Sequence, residues 1–201
     1  MTGVFILGAG GHAKVVADIL LCQGLKITGF FDDNPDIWNA IVLGIPVLGP
    51  NSSYADRAPG GMVIGIGSNA VRQKLAIQFD GSATWINAVH PGVVIANSVK
   101  LGTGVVMAAG TIVNPDSIIG DHVIINTGAT VDHDCTIGSF CHIAPGSHLG
   151  GGVEVGEGTL IGIGATVLPY CKIGRGVTIG GGAVVVNDIP DHSTVKGIPA
   201  R

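Results

Sequence analysis

The stretch VDHDCTIGSFCHIAPG, Val131 to Gly146, decides the fold. Val131, Ile137 and Ile143 stand six apart, and Cys135 and Cys141 each follow an aliphatic residue by four. The same spacing runs outward in both directions. It takes in Val89, Ile95, Leu101, Met107, Val113, Ile119 and Ile125 before the stretch, and Leu149, Val155, Ile161, Val167, Ile173, Ile179 and Val185 after it. The position four further on is small or β-branched: Val93, Val99, Val105, Thr111, Ser117, Val123, Ala129 and Ser147. The residue just after the aliphatic one is often Gly, Ala, Asn or Asp, which suits a bend. An unbroken period of six predicts a parallel β-helix of hexapeptide repeats. Each coil cannot bury its own inward residues, so it must stack on the next. A β-sandwich would show a period of two and turns every eight to twelve residues, and neither is present.

The chain before this array has a different rhythm. VFIL (4–7) reads as a short buried strand, GAGGH (8–12) as a Gly-rich turn, and Val15, Val16, Ile19 and Leu20 as one face of a helix stopped at Gly24. KITGFFDD (26–33) and MVIGIG (62–67) read as further strands, and Ser68 as the cap of a helix over 69–79. IPVLGP (45–50) reads as an extended connection. The expectation is a Rossmann-like βαβ α/β domain over 1–84, followed by the β-helix over 85–201.

Composition narrows the function. Of 201 residues, 46% are hydrophobic and 12% charged, with 34 glycines and a net charge of −4. A weakly acidic chain with no basic run argues against nucleic acid or an anionic membrane as partner. No apolar run reaches the length of a membrane span and no leader pattern opens the chain, so a cytoplasmic protein is expected. Cys22, Cys135, Cys141 and Cys171 show no CxxC spacing and read as reduced thiols. The last three fall in the small inward slot, where a thiol serves as a small hydrophobe.

His133 and Asp134 lie two and three residues past Val131, at outward or corner positions that packing does not need. Histidine titrates near neutral pH and suits a general base, and a neighbouring carboxylate orients the ring and stabilises its charged form. His133 is therefore the candidate base, Asp134 its partner, and Asp132 a turn residue. His122 and His148 read as surface residues. The histidine spacing matches no common metal pattern, so no metal is expected. In the Gly-rich turn, G-x-G-x-x-A from Gly8 to Ala13 places backbone N–H groups of Gly10 and Gly11 at a helix start, where they would cradle a phosphate. Asp32 and Asp33, some twenty residues on, would then bond a base or ribose. The domain is too short for both halves of a dinucleotide fold, which disfavours NAD.

FILGAGGHAKVVADIL (5–20), FFDDN (30–34), NTGATVDHDCTIGSFCHIAPG (126–146) and VVNDIPDHSTVKGIPA (185–200), in this order, resemble the sialic-acid O-acetyltransferase (NeuD) and bacillosamine N-acetyltransferase (PglD) family of bacterial sugar acetyltransferases. The resemblance covers essentially the whole chain. It implies a left-handed β-helix, a homotrimer, a nucleotide-sugar on the N-terminal domain and acetyl-CoA in a cleft between subunits. It further implies that His142 lies by acetyl-CoA and polarises the thioester carbonyl. Asn126 would lie near the transferred group, although it also suits its turn slot. Gly151 and Gly181 would flank pantetheine, and His12 would reach the active site of a neighbouring subunit. Of the late cations, Lys172, Arg175, Lys196 and Arg201 are candidates for CoA phosphates. The expected reaction is N-acetylation of the 4-amino group of a nucleotide-linked, UDP-type, amino-deoxy sugar, with no metal. O-acetylation of a sialic-acid-type sugar is the alternative. A catalytically silent scaffold is opposed by His133 and Asp134. Serine O-acetyltransferase is opposed by its helical N-terminal domain, which this chain lacks.

Overall fold

The computed structural model describes residues 3–56 and 60–201. Strand β1 (Val4–Leu7) leads into helix α1 (Gly11–Cys22), then strand β2 (Ile27–Phe31). A small antiparallel hairpin follows, β3 (Ile41–Val42) with β4 (Ile45–Pro46), where the sequence suggested only an extended connection. Strand β5 (Gly61–Ile64), helix α2 (Asn69–Gln78) and strand β6 (Thr84–Trp85) complete this half. The sheet is parallel, in the order β2-β1-β5-β6. The chain therefore switches direction between β1 and β5, and the crevice beyond their carboxyl ends is where open α/β sheets take ligands.

From Ala88 the backbone winds through two-residue strands that form three parallel sheets. The first face runs from Ala88–Val89 through Val106–Met107, Ile124–Ile125, His142–Ile143, Leu160–Ile161 and Thr178–Ile179 to Thr194–Val195. The second runs from Val94–Ile95 to Val184–Val185, and the third from Lys100–Leu101 to Lys172–Ile173. Paired residues stand one coil apart, as in Ile124 with His142 and Thr130 with His148.

The expected inward residues are buried. Met107, Ile125, Val131, Ile143 and Ile161 are fully covered, and so are Val105, Val123, Ala129, Cys135 and Cys141 in the small slot. The first coil is the exception: Val89, Ile95 and Leu101 are only partly buried. No further coil stacks on their outer side. Ile143→Ala should cost about 2–5 kcal/mol in chemical denaturation, because coils on both sides fix the gap it leaves.

Corners supply the other half of the repeat. From Leu101 to Ile179, three residues after each aliphatic position the backbone turns left-handed, usually at glycine, as in Gly128, Gly146 and Gly152. Asp116, His122, Asp134 and Phe140 occupy the same slot with φ of 62°, 53°, 58° and 61°. Side chains resist this region, Asn and Asp less than most, so Asp134 occupies a pose that suits few alternatives.

Helix α1 lies on the first face. Ala13, Val16, Ala17 and Leu20 pack with Ala88, Val106 and Ile124, residues that point outward from the coils. An apolar outward column on one face is the sequence trace of this covering. His142 is the next member of that column, where the helix footprint ends.

Candidate active site

The corner between the second and third faces presents His133 and Asp134 to solvent, with side chains 50% and 64% exposed. His133 Nδ1 is 2.7 Å from Asp134 Oδ2. An Nδ1–H donor to the carboxylate leaves the Nε2 lone pair free to accept a proton, and the Asp134 bond holds the imidazole pKa above its ordinary value. Asp132 acts as the turn residue: Oδ1 accepts from the His133 backbone N–H at 2.8 Å and from Asn114 Nδ2 at 2.8 Å.

Gly151 lies one coil further along, beneath this ring. A Cβ there would stand 2.5 Å from His133 Cε1, so the glycine makes room for the imidazole. Gly151→Ala should leave the melting temperature little changed, since only the end of a flexible side chain is displaced. It should break the His133–Asp134 bond and return the His133 pKa toward the ordinary value of about 6.5, readable by NMR titration.

A second cluster forms elsewhere on the same chain. His12, Gly67, Ser68, Asn126, His142 and Ile163 are among the residues lining a cavity of about 710 Å³. The cavity sits where the carboxyl ends of β1 and β5 meet the first face. The His12 and His142 rings are 6.2 Å apart. Both imidazoles are pushed down to about 4. For His12 the causes are burial, then His142 and Arg72; for His142 they are burial, then Arg72. Both are neutral at pH 7. His12 Nε2 is buried without a hydrogen-bond partner, a cost that a bound ligand would relieve. His12 thus stands beside His142 of its own chain. His133 does not line this cavity.

The hydrogen bonds of His142 set its tautomer. Asn126 Oδ1 accepts from the Thr127 backbone N–H at 2.8 Å, which turns Asn126 Nδ2 toward His142 Nε2 at 3.1 Å. Nε2 must then accept, the proton resides on Nδ1, and Nδ1–H points to the Gly67 carbonyl at 3.3 Å. In this arrangement His142 has no free N–H for a thioester carbonyl. The second amide hydrogen of Asn126 is the available donor.

The glycine loop is braced from within. Asp32 Oδ2 accepts from Ala9 N at 2.9 Å, and Asp33 Oδ1 accepts from Asn51 N at 2.9 Å. Gly8 needs its φ of 94° to turn out of β1, but Gly10 and Gly11 have ordinary φ and meet nothing within 4 Å of an added Cβ. The chain's own contacts give no reason for glycine there, and close approach of a ligand would. Gly10 and Ser68 begin α1 and α2 without any side-chain cap, so the first N–H groups of both helices are open. Ser68 therefore holds the cap position without the expected bond.

Other candidates fall differently. Gly181 is not among the cavity-lining residues, and a Cβ there would press on the Ile163 carbonyl at 3.2 Å. Lys172 is paired with Glu154 at 2.9 Å. His148 is exposed as expected, but His122 is not a surface residue: it is 4% exposed, stacked on Phe140 at 5.3 Å and edge-on to Trp85 at 4.7 Å. Phe140 occupies the same corner slot one coil further on, where the repeat stacks it on His122, whereas Trp85 comes from the other half and has no trace in the spacing. The buried cysteines have thiols shifted up by burial, Cys141 to about 12, which rules them out as nucleophiles at neutral pH. Asp18, Cys22 and His90 bring three possible ligand atoms within 4.8 Å of one another, but His90 Nδ1 already accepts from Gly92 N at 2.9 Å. No helix among the described residues is long and apolar enough to cross a membrane.

A hexapeptide β-helix joined to a parallel α/β sheet, with a paired His–Asp corner, defines the hexapeptide-repeat acyltransferases as a class. Residues 3–79 match the PglD N-terminal domain, and 116–151 and 152–187 match the bacterial transferase hexapeptide of six repeats. PerB from Caulobacter crescentus, solved with CoA and GDP-perosamine, is 44% identical over 100% of this chain and 97% of its own, with a TM-score of 0.94. The acetyltransferase domain of PglB from Neisseria gonorrhoeae, solved with acetyl coenzyme A, is 36% identical over 99% and 98%, with a TM-score of 0.93. Curated sequence relatives match locally, and the chain spans about a fifth of their length. Serine acetyltransferase of Bacillus pumilus, for instance, is 58% identical over only 38 residues. The chain belongs to the PglD family of acetyl-CoA-dependent sugar N-acetyltransferases.

Proposed function

We propose that the protein transfers the acetyl group of acetyl-CoA to the amino group of a nucleotide-linked 4-amino sugar. His133 takes the proton from the attacking amine through Nε2, and Asp134 holds the ring and stabilises its charged form. The observation that carries this reading is the solvent-facing His133–Asp134 pair on the corner, with Gly151 kept bare beneath the ring. The thioester carbonyl is polarised from the cluster of His142 and Asn126, with the free amide hydrogen of Asn126 as donor.

The N-terminal half, 1–84, holds the nucleotide-sugar, and 85–201 the acetyl donor. Open N–H groups at Gly11 and at Asn69–Ala70 suit a diphosphate, and the orphaned His12 Nε2 suits the same oxygens. Asp33, with one carboxylate oxygen used by Asn51, is the better placed acid for a ribose or base. GDP-perosamine in PerB shifts the preferred nucleotide from UDP to GDP.

His133 and the His12–Asn126–His142 cluster lie on different edges of the coil, so one chain alone does not assemble them. A neighbouring copy completes the site, and the homotrimer that the family resemblance implies is a closed ring that repeats this pairing at every interface. Val94, Ile112 and Leu168, exposed on and beside the second face, supply apolar surface for that contact.

Thiol release from acetyl-CoA tests the reading, with GDP-, UDP- and dTDP-linked 4-amino sugars, sialic acid and serine as acceptors. Turnover on one nucleotide-linked amino sugar is the expected result. Turnover on sialic acid alone would transfer the function to O-acetylation, and silence on all acceptors would remove the enzymatic reading.

A further inference from the structure

Arg72, on α2, is 1% exposed, yet no carboxylate pairs with it among the described residues. Its guanidinium donates only to neutral oxygens. Nε reaches the His122 carbonyl at 2.8 Å, Nη1 the Ile66 and Gly67 carbonyls at 3.2 Å each, and Nη2 Asn69 Oδ1 at 2.9 Å. Nη2 also reaches the Phe140 and Cys141 carbonyls at 2.7 and 3.2 Å.

Joining two halves of a protein does not need a buried charge. Well-packed apolar side chains do it as well or better, because desolvating a guanidinium costs several kcal/mol. The choice of acceptors gives the reason for the charge. Gly67 is the residue whose carbonyl receives His142 Nδ1–H, and Phe140 and Cys141 are the two residues leading into His142. Arg72 thus grips both the backbone that carries the imidazole and the carbonyl that faces it. Its five N–H groups in a planar fork can do this together, whereas a lysine ammonium has no such fork.

We propose that Arg72 is a positioning residue: it fixes His142 as the Nδ1–H tautomer, so that Nε2 accepts from Asn126 and the second amide hydrogen of Asn126 is presented to the cavity. The charge has a second effect on the same ring. Together with burial it disfavours imidazolium at His142 and His12, keeping the Nε2 lone pair of His142 available to the amide. The geometry stands on its own, and its catalytic consequence rests on the acetyl-transfer reading above.

Nitrogen-15 histidine NMR of the full chain tests it, with His142→Gln to assign the resonance. Wild type should show a protonated Nδ1 and a bare Nε2 at His142. Arg72→Lys should mix the tautomers and lower kcat about ten- to a hundred-fold, with a smaller change in KM for acetyl-CoA. A merely structural clamp would lower the melting temperature and leave the tautomer alone. An Nε2–H wild type, or Arg72→Lys with unchanged tautomer and kcat, would overturn the proposal. Should Arg72→Lys fail to fold, Asn69→Ala removes one acceptor of the guanidinium and leaves the charge in place. A tautomer ratio identical to wild type would then count against it. If wild type turns over no acceptor while its tautomer is as stated, the acetyl-transfer reading fails and the positioning of His142 stands.

Discussion

His133→Ala is expected to lower kcat by about 10²- to 10⁴-fold, the usual contribution of a positioned general base. Acetyl-CoA binding, read by calorimetry, should change little, and so should the melting temperature, because the side chain is half exposed and supports no packing. A variant that binds acetyl-CoA normally and still turns over at wild-type rate would remove His133 from the mechanism. Asp134→Asn separates the two members of the pair. The base must be neutral to act, so activity falls as pH drops through the His133 pKa. Asp134 raises that pKa, and its removal should move the acidic limb to lower pH. The pH-independent rate should fall at the same time, because an amide can stabilise neither the ring's charge nor its Nδ1–H orientation as a carboxylate does. A limb that stays in place would separate Asp134 from the base.

The second large effect is complementation between two inactive variants. His133→Ala lacks the base, and Asn126→Ala combined with His142→Ala lacks the donor cluster. Each alone should be nearly inactive. Co-expressed with different tags and purified through both, they should regain about a third of the wild-type sites, because every mixed trimer, whichever variant it holds twice, has one of its three interfaces pairing an intact His133 with an intact cluster. If the two groups act within one chain, no mixture recovers activity, because every chain carries one lesion. The second outcome would require the chain to bring its two edges together by a rearrangement, and would end the shared-site picture. Purified assemblies that remain monomeric and active would do the same.

How much of this was legible beforehand varies by residue. His133 and Asp134 stood out because packing did not need them at a corner, and the structure brings them within hydrogen-bonding distance. Gly151 is a pantetheine candidate in the sequence, and the structure adds that a Cβ there would strike the His133 ring, a contact one coil away. His142 was read as a hydrogen-bond donor. Its partners, Asn126 and Gly67, instead make Nε2 an acceptor, and Gly67 belongs to a segment 75 residues earlier. Arg72 carries no signal in the sequence: one arginine on a short helix resembles a solvated charge, and its six acceptors come together from both halves only in the folded chain. His122 was misplaced for the same reason, since part of its cover, Trp85, comes from the other half.

The sequence by itself determined the repeat, and with it the coil, its inward columns and the outward placing of His133. A period of six is a local rule, imposed on every coil by the same need to bury aliphatic side chains on the coil before. It also determined the strand–Gly turn–helix start, because a phosphate-ready helix N-terminus needs only a few adjacent residues. Only the tertiary structure decided which face α1 covers, which histidines are dry and neutral, and which tautomer His142 holds. Those properties are set by desolvation and by hydrogen bonds across long stretches of chain, and the partners exist only once the two halves have packed together.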